Sequence, residues 1–72
     1  MPKLPVLSGD EVVRALERLG FAVVRRRGSH IVMRRGGEGC VVPNHRELKV
    51  GTLAGLLRQA GVSSEEFIEV RT

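Results

Sequence analysis

The stretch FAVVRRRGSHIVMRR, residues 21–35, decides the fold of this 72-residue chain. Its β-branched and aromatic residues predict one strand over 21–27 and a second over 30–35. Gly28-Ser29 stands between the two runs and is typical of a tight hairpin turn. We therefore predict a β-hairpin that carries five arginines and one histidine.

A third strand is predicted directly after this hairpin. The glycine-rich stretch 36–39 predicts a second turn, and a short strand is predicted over Cys40-Val41-Val42. Pro43 should end it, because proline cannot donate to a strand ladder. The three strands then form an antiparallel meander.

A helix is predicted before the meander. Ser8-Gly9-Asp10-Glu11 has the pattern of a capping box, in which Ser8 and Glu11 satisfy each other's backbone N–H groups. Apolar residues at helical spacing follow, and Gly20 is a suitable stop. The apolar stripe consists of Val12, Val13, Leu16 and Leu19. The helix should run to about Leu19.

Two more helices are predicted after the meander. Leu53, Leu56, Leu57 and Ala60 recur at helical spacing, and Gly61 ends that helix. Residues 63–66 repeat the capping-box pattern, which predicts a short C-terminal helix. The fold class is α+β, with the α-β-β-β-α order of the double-stranded RNA-binding fold and both main helices on one face of the sheet. We expect a single domain over residues 1–72.

The charge of the chain favours a polyanionic partner. The net charge is +4, the isoelectric point is about 10.6, and most of the positive charge is arginine. The planar guanidinium matches phosphate with two hydrogen bonds, which suits nucleic acid. A thermophilic or GC-rich source also enriches arginine, so composition leaves both explanations open.

The cysteine and histidine content limits the compartment and the cofactors. Cys40 is the single cysteine, so an internal disulfide is excluded, and we expect a cytoplasmic protein. His30, His45 and Cys40 are too few for a structural zinc site of four protein ligands, and we expect no metal or other cofactor. No apolar run is long enough for a membrane span or a signal peptide, so we expect no membrane partner.

His30 is the candidate catalytic residue. It follows Gly28-Ser29 at the hairpin turn, and arginines flank it on both sides. Alternation along a strand places His30 and Arg34 on one side. Gly28 allows close backbone approach and Ser29 adds a hydroxyl. The predicted RNA-binding residues are Arg25, Arg26, Arg27, Gly28, Ser29, Arg34 and Lys49.

RNA carries its own nucleophile, so histidine and arginine suffice to cleave it without metal. A base removes the 2′-hydroxyl proton, an acid protonates the 5′-oxygen, and cations stabilise the phosphorane. The alternative is that His30 is an ordinary strand residue beside a solvated arginine face.

His45 is a secondary candidate, and an ordinary loop residue is the favoured alternative. Lys49 precedes the second main helix, whose N-terminus attracts phosphate. Cys40 lies in an apolar strand and receives no chemical role. The chain has no tryptophan or tyrosine, which argues against recognition by rows of stacked bases.

Five motifs together resemble the HicA family. They are Leu19-Gly20-Phe21, Arg27-Gly28-Ser29-His30, Val42-Pro43-Asn44-His45, Lys49-Val50-Gly51-Thr52-Leu53 and Leu57-Arg58-Gln59-Ala60-Gly61. Each is weak evidence alone, but their order and spacing across one short chain are specific.

The resemblance implies the toxin of a type II toxin–antitoxin system, with the double-stranded RNA-binding fold and cleavage of messenger RNA. The family's catalytic histidine lies in a Gly-Ser-His motif, which implies that role for His30, framed by Gly28 and Ser29. His45 matches a second recurrent histidine without an assigned role. The resemblance also implies a HicB-type antitoxin partner that covers the active site.

Three functions remain open at this stage. The first is a metal-independent endoribonuclease acting through His30. The second is a non-catalytic RNA-binding module that grips A-form RNA by its backbone. The third is a small interaction protein whose charge reflects its source, for which RNA affinity would not fall steeply with salt.

Overall fold

The computed structural model describes residues 3–71, so the terminal residues 1, 2 and 72 of the expected domain lie outside it. The predicted order of helix, three strands, helix and C-terminal helix is confirmed. The elements are α1 (Gly9–Arg18), β1 (Ala22–Arg27), β2 (His30–Arg35), β3 (Glu38–Pro43), α2 (Val50–Ala60) and α3 (Ser64–Arg71).

The predicted capping box begins α1. The Ser8 hydroxyl accepts from the Glu11 N–H at 3.1 Å, and the Glu11 carboxylate accepts from the Ser8 N–H at 3.0 Å. Gly20 has a φ of 96°, a left-handed conformation that favours glycine and turns the chain from α1 into β1. Both ends of α1 are thus set by the residues that sequence predicted.

The three strands form an antiparallel sheet in the order β1-β2-β3. One irregularity interrupts the β1–β2 ladder: Val23 pairs with Met33 and Arg25 with Val32, so Val24 is an extra, bulged residue.

The predicted start of β3 at Cys40 is wrong, because the strand begins at Glu38 and runs through Pro43. The turn is limited to Gly36-Gly37, where Gly36 has a φ of 58°. Arg35 and Glu38 pair across this turn and form a salt bridge of 2.8 Å. That pairing extends the ladder into the stretch predicted as turn.

One face of the sheet is covered by helices. Along β2, Ile31 and Met33 are buried on that face, while His30 and Arg34 are exposed on the other. α1 packs against β1 and β3, and α2 packs against β3. We call the uncovered side the open face.

The helical stripes complete the core. Val12 and Leu16 of α1 and Leu53 of α2 have no exposed surface. α3 packs on α1 and inserts Phe67, which is also fully buried. α3 begins with a second capping box, in which Ser63 and Glu66 exchange hydrogen bonds of 3.0 and 3.1 Å. None of the described helices is long and apolar enough to cross a membrane.

The capping boxes make stability depend on pH. The Ser8 N–H that donates to the Glu11 carboxylate lowers the pKa of Glu11, and the Ser63 N–H lowers that of Glu66 in the same way. Because the pKa is lower in the folded state, the stabilisation is present above the unfolded value of about 4.5 and is lost as the pH falls through the folded value.

We therefore expect Glu11→Gln to lower the free energy of unfolding at pH 7, and its difference from the wild type to be smaller at pH 3, because Glu11 loses its charge as the pH falls through its lowered pKa. Ser8→Ala should cost about 1 kcal/mol at pH 7. Urea unfolding at the two pH values measures this. Glu17→Gln, at an exposed position of α1 outside the cap, is the control, and an equal pH dependence in both glutamine variants would contradict the assignment.

Candidate nucleic-acid interface

Four basic side chains share the open face. Arg27 pairs directly with His30, and Arg25 with Val32. Residues directly opposite in an antiparallel pair point to the same side, so Arg25 and Arg27 lie on the side of His30 and Arg34. All four are exposed. The structure therefore brings together the candidate histidine and three of the predicted arginines.

Arg26 lies apart from this group. It pairs with Ile31, whose side chain is buried on the helix-covered face. The register therefore directs Arg26 to the helix-covered side of the sheet, where it is nevertheless exposed. Of the three consecutive arginines, two belong to the open face.

The open face is basic and partly apolar. Val41 is 39% exposed there, beside the half-buried Val32. The register assigns no aspartate or glutamate of the described strands to this face. Its positive charge is therefore not compensated from within the sheet.

The β2–β3 ladder continues past the strands into the turn and the loop. The Asn44 N–H donates to the Ser29 carbonyl at 2.6 Å. One residue further on, the His45 carbonyl accepts from the Gly9 N–H at 2.8 Å. The turn before His30, the loop with His45 and the first residue of α1 therefore meet at one end of the sheet, which we call the turn end.

Both helices that pack on the sheet begin near this end. Leu7 and Leu48, each one residue before a helix N-cap, form an isolated β-bridge with an N–H···O distance of 2.7 Å. Lys49 is the exposed N-cap of α2 and makes no side-chain hydrogen bond to the first turn, which contains no acidic residue. The positive end of the α2 dipole therefore adds to the charge near the turn end.

Gly28 gives the turn its shape. Its φ of 58° is in the left-handed region, and a Cβ at this position would meet no atom within 4 Å. Glycine is therefore required by backbone conformation rather than by crowding, and the turn is open to an approaching ligand. Ser29, next to it, is exposed.

Arg35 has a structural role that the sequence did not reveal. It donates to the Leu19 carbonyl at 2.9 Å and pairs with Glu38, and its guanidinium lies 4.5 Å from the centre of the Phe21 ring. The side chain thus ties the end of α1 to the β2–β3 turn. The signal available was its position two residues after Met33, which places Arg35 on the core side of β2 by alternation.

The structure places Cys40 in the hydrophobic core. Cys40 is a free, buried thiol, and burial raises its pKa, which disfavours the reactive thiolate. No group of three histidine, cysteine or acidic side chains within residues 3–71 is placed to hold a metal ion.

Comparison with known protein families identifies a match for most of the chain. A family profile described as "HicA toxin of bacterial toxin-antitoxin" matches residues 9–62, which is more than half of the chain. The matched range contains the whole sheet, the turn end and α2. No curated protein matches the chain.

The turn end depends on the absence of a side chain at Gly9. A Cβ there would collide with the Pro43 carbonyl oxygen and would lie 2.8 Å from the Asn44 Cα. Both are backbone atoms that cannot move aside without displacing the loop. We expect Gly9→Ala to lower the free energy of unfolding by about 1–3 kcal/mol.

Gly55→Ala is the matched control, because Gly55 is also helical and its Cβ would meet only the end of the Arg58 side chain, at 3.9 Å. Alanine there should be neutral or stabilising by up to about 1 kcal/mol. Urea unfolding compares the two variants. Equal effects would show that α1 does not approach the loop this closely.

Proposed function

The chain belongs to the HicA toxin family of bacterial toxin–antitoxin systems, and from this premise we propose that it is an endoribonuclease that cleaves messenger RNA through His30, without a metal. The observation that carries the proposal is the position of His30. It is exposed at the first residue of the central strand, directly opposite Arg27 and on the face that also carries Arg25 and Arg34.

The proposed reaction uses the 2′-hydroxyl of the RNA as nucleophile. The O2′–P bond forms as the P–O5′ bond breaks, a base takes the proton of the 2′-hydroxyl, and an acid gives a proton to the leaving 5′-oxygen. The products are a 2′,3′-cyclic phosphate and a 5′-hydroxyl. Imidazole titrates near neutrality and therefore serves as either the base or the acid.

The arginines have an electrostatic role in this proposal. Charge develops on the phosphorane oxygens, and cations already fixed beside them stabilise the transition state more than the ground state. We assign this role to Arg27, since it is the direct cross-strand neighbour of His30. Arg25 and Arg34 lie further along the open face and would hold flanking phosphates, with Gly28 and Ser29 giving the backbone room to approach.

His45 and Lys49 are the proposed auxiliary groups at the turn end. The hydrogen bond from Asn44 to Ser29 fixes the His45 loop beside the turn that precedes His30. His45 is exposed, so it would be available as the second acid–base group. Lys49 and the N-terminus of α2 would bind a phosphate on the same end of the sheet.

A toxin of a toxin–antitoxin system has an antitoxin partner, and we propose one of the HicB type that covers the open face. A basic surface to which the described strands contribute no carboxylate is complementary to an acidic protein surface. We further propose that the chain folds as a single domain and acts in the cytoplasm, where messenger RNA is found.

The central test is cleavage of a labelled messenger RNA by the wild type and His30→Ala in the presence of EDTA, with circular dichroism to show that both are folded. We expect the variant to lose at least about 100-fold in rate. An RNA with a 2′-deoxy sugar at the cleaved position is the substrate control and should resist the wild type, because it lacks the nucleophile.

Other outcomes separate the alternatives. Equal cleavage by both proteins would show that His30 is not the catalytic residue. His45→Ala would then be the next variant to test. RNA binding without cleavage by the wild type would favour the non-catalytic module, since the basic open face supports binding by itself. Cleavage that EDTA abolishes would contradict the metal-independent mechanism.

Neighbouring arginines provide a second test. We expect Arg34→Ala to weaken RNA binding about fivefold at 0.1 M salt, the effect of losing one phosphate contact to a single strand, with stability almost unchanged. Arg35→Ala should do the reverse and cost about 1–2 kcal/mol of stability, because it removes hydrogen bonds and a cation–π contact.

Fluorescence anisotropy with an RNA oligonucleotide and urea unfolding provide the two readouts. Each variant serves as the control for the other, since both lose one charge from adjacent positions. Equal losses of RNA affinity would contradict the division of β2 into two faces.

A further inference from the structure

A second basic site lies on the helical side of the molecule. Arg14 and Arg18 of α1 and Arg71 of α3 line one open groove between the two helices, together with Ala15 and Glu11. Because α1 and α3 are on the covered side of the sheet, the sheet separates this groove from the open face. We call it the arginine groove.

The arginine groove has a net positive charge, because three arginines and one carboxylate of the described residues line it. Arg14 and Arg71 are both exposed. Arg18 donates to the Val70 carbonyl at 3.1 Å, and this hydrogen bond links α1 to α3 beside the groove. Among the described residues that line the groove, Glu11 has the one carboxylate, which accepts from the Ser8 N–H and interacts electrostatically with Arg71 and Arg14, so it offsets one of the three positive charges.

We propose that the arginine groove binds backbone phosphates of RNA, as a second site apart from the one that contains His30. Arg14 and Arg18 are one helical turn apart on the same face of α1, about 6 Å along its axis. The small, buried Ala15 also lines the groove. Guanidinium groups match phosphate oxygens with paired hydrogen bonds.

The lining of the groove favours a nucleic-acid backbone over a protein segment. Protein partners are held mainly by apolar and aromatic side chains that enter pockets. Of the described residues that line this groove, Ala15 alone is apolar. Phosphate contacts need no such anchor, because they are electrostatic and independent of sequence.

The choice of RNA as ligand rests on the proposed function, but the site itself does not need catalysis. An RNA that occupies both surfaces would have to pass around the edge of the molecule. The protein would then contact more nucleotides than the open face alone can cover. Weakening the groove should therefore reduce affinity for long RNA and leave the chemical step unchanged.

The test uses His30→Ala as background, so that RNA stays intact, and compares it with the same protein carrying Arg14→Ala and Arg71→Ala. Arg18 is kept because it holds α3 to α1. Fluorescence anisotropy with an RNA of about 30 nucleotides is measured over a salt series. We expect affinity to fall about 25-fold at 0.1 M salt and the slope of log K against log salt to decrease in magnitude by about 1.4, at 0.7 per lost contact.

The control is Arg58→Ala in the same background, which removes an exposed arginine near the C-terminal end of α2. The proposal would be overturned if the double variant kept the RNA affinity and the salt slope of the background protein. It would also be overturned if the control lost as much affinity per removed charge as the double variant. Poly-L-glutamate serves as a second probe. A double variant that loses poly-L-glutamate but keeps RNA would identify a surface for acidic protein and would also overturn it.

Cleavage by the wild type, measured separately, keeps this proposal distinct from the ribonuclease itself. In an active background, the double variant should raise KM and leave kcat unchanged. An inactive wild type that still binds RNA through the groove would contradict the ribonuclease and support the groove. Failure of the His30→Ala protein to bind RNA at all would overturn the groove as an RNA site.

Discussion

The organisation of the molecule depends on two consecutive backbone hydrogen bonds at the turn end. Asn44 donates to Ser29, and His45 accepts from Gly9, so the hairpin turn, the loop after β3 and the start of α1 are held together. These contacts join segments that are far apart in sequence. They also require glycine at position 9, because any side chain there would meet the backbone of residues 43 and 44. His30 and His45, which are proposed for catalysis, lie next to these hydrogen bonds.

The second constraint is the alternation of side chains along β2. Ile31 and Met33 must face the helices, because they are fully or almost fully buried there. His30 and Arg34 then face outward as a consequence. The burial of Ile31 and Met33 and the exposure of His30 therefore follow from the same strand register. A shift of that register by one residue would reverse both.

Much of the fold was predictable because its signals are local. The capping boxes at Ser8 and Ser63, the stop at Gly61 and the apolar stripe of α2 all depend on residues within a few positions of each other. The start of β3 was not predictable in this way. Glu38 was assigned to a turn from the surrounding glycines, but its pairing with Arg35 places it in the ladder. The site shows the same division: His30 and Gly28 follow from a short motif, whereas the position of the His45 loop and the tethering role of Arg35 depend on contacts between distant segments.

The bulge at Val24 determines which arginines accompany His30. Without the extra residue, the pairing of Val23 with Met33 would continue with Val24 opposite Val32, Arg25 opposite Ile31 and Arg26 opposite His30. The open face would then carry one arginine of β1, and the other two would be directed towards the covered side. The bulge reverses the parity of the strand and so brings two arginines outward in place of one. The charge beside the candidate catalytic histidine therefore depends on a backbone irregularity as well as on the arginines themselves. A strand shortened by the bulged residue would keep all three arginines and still lose the electrostatic character of the open face.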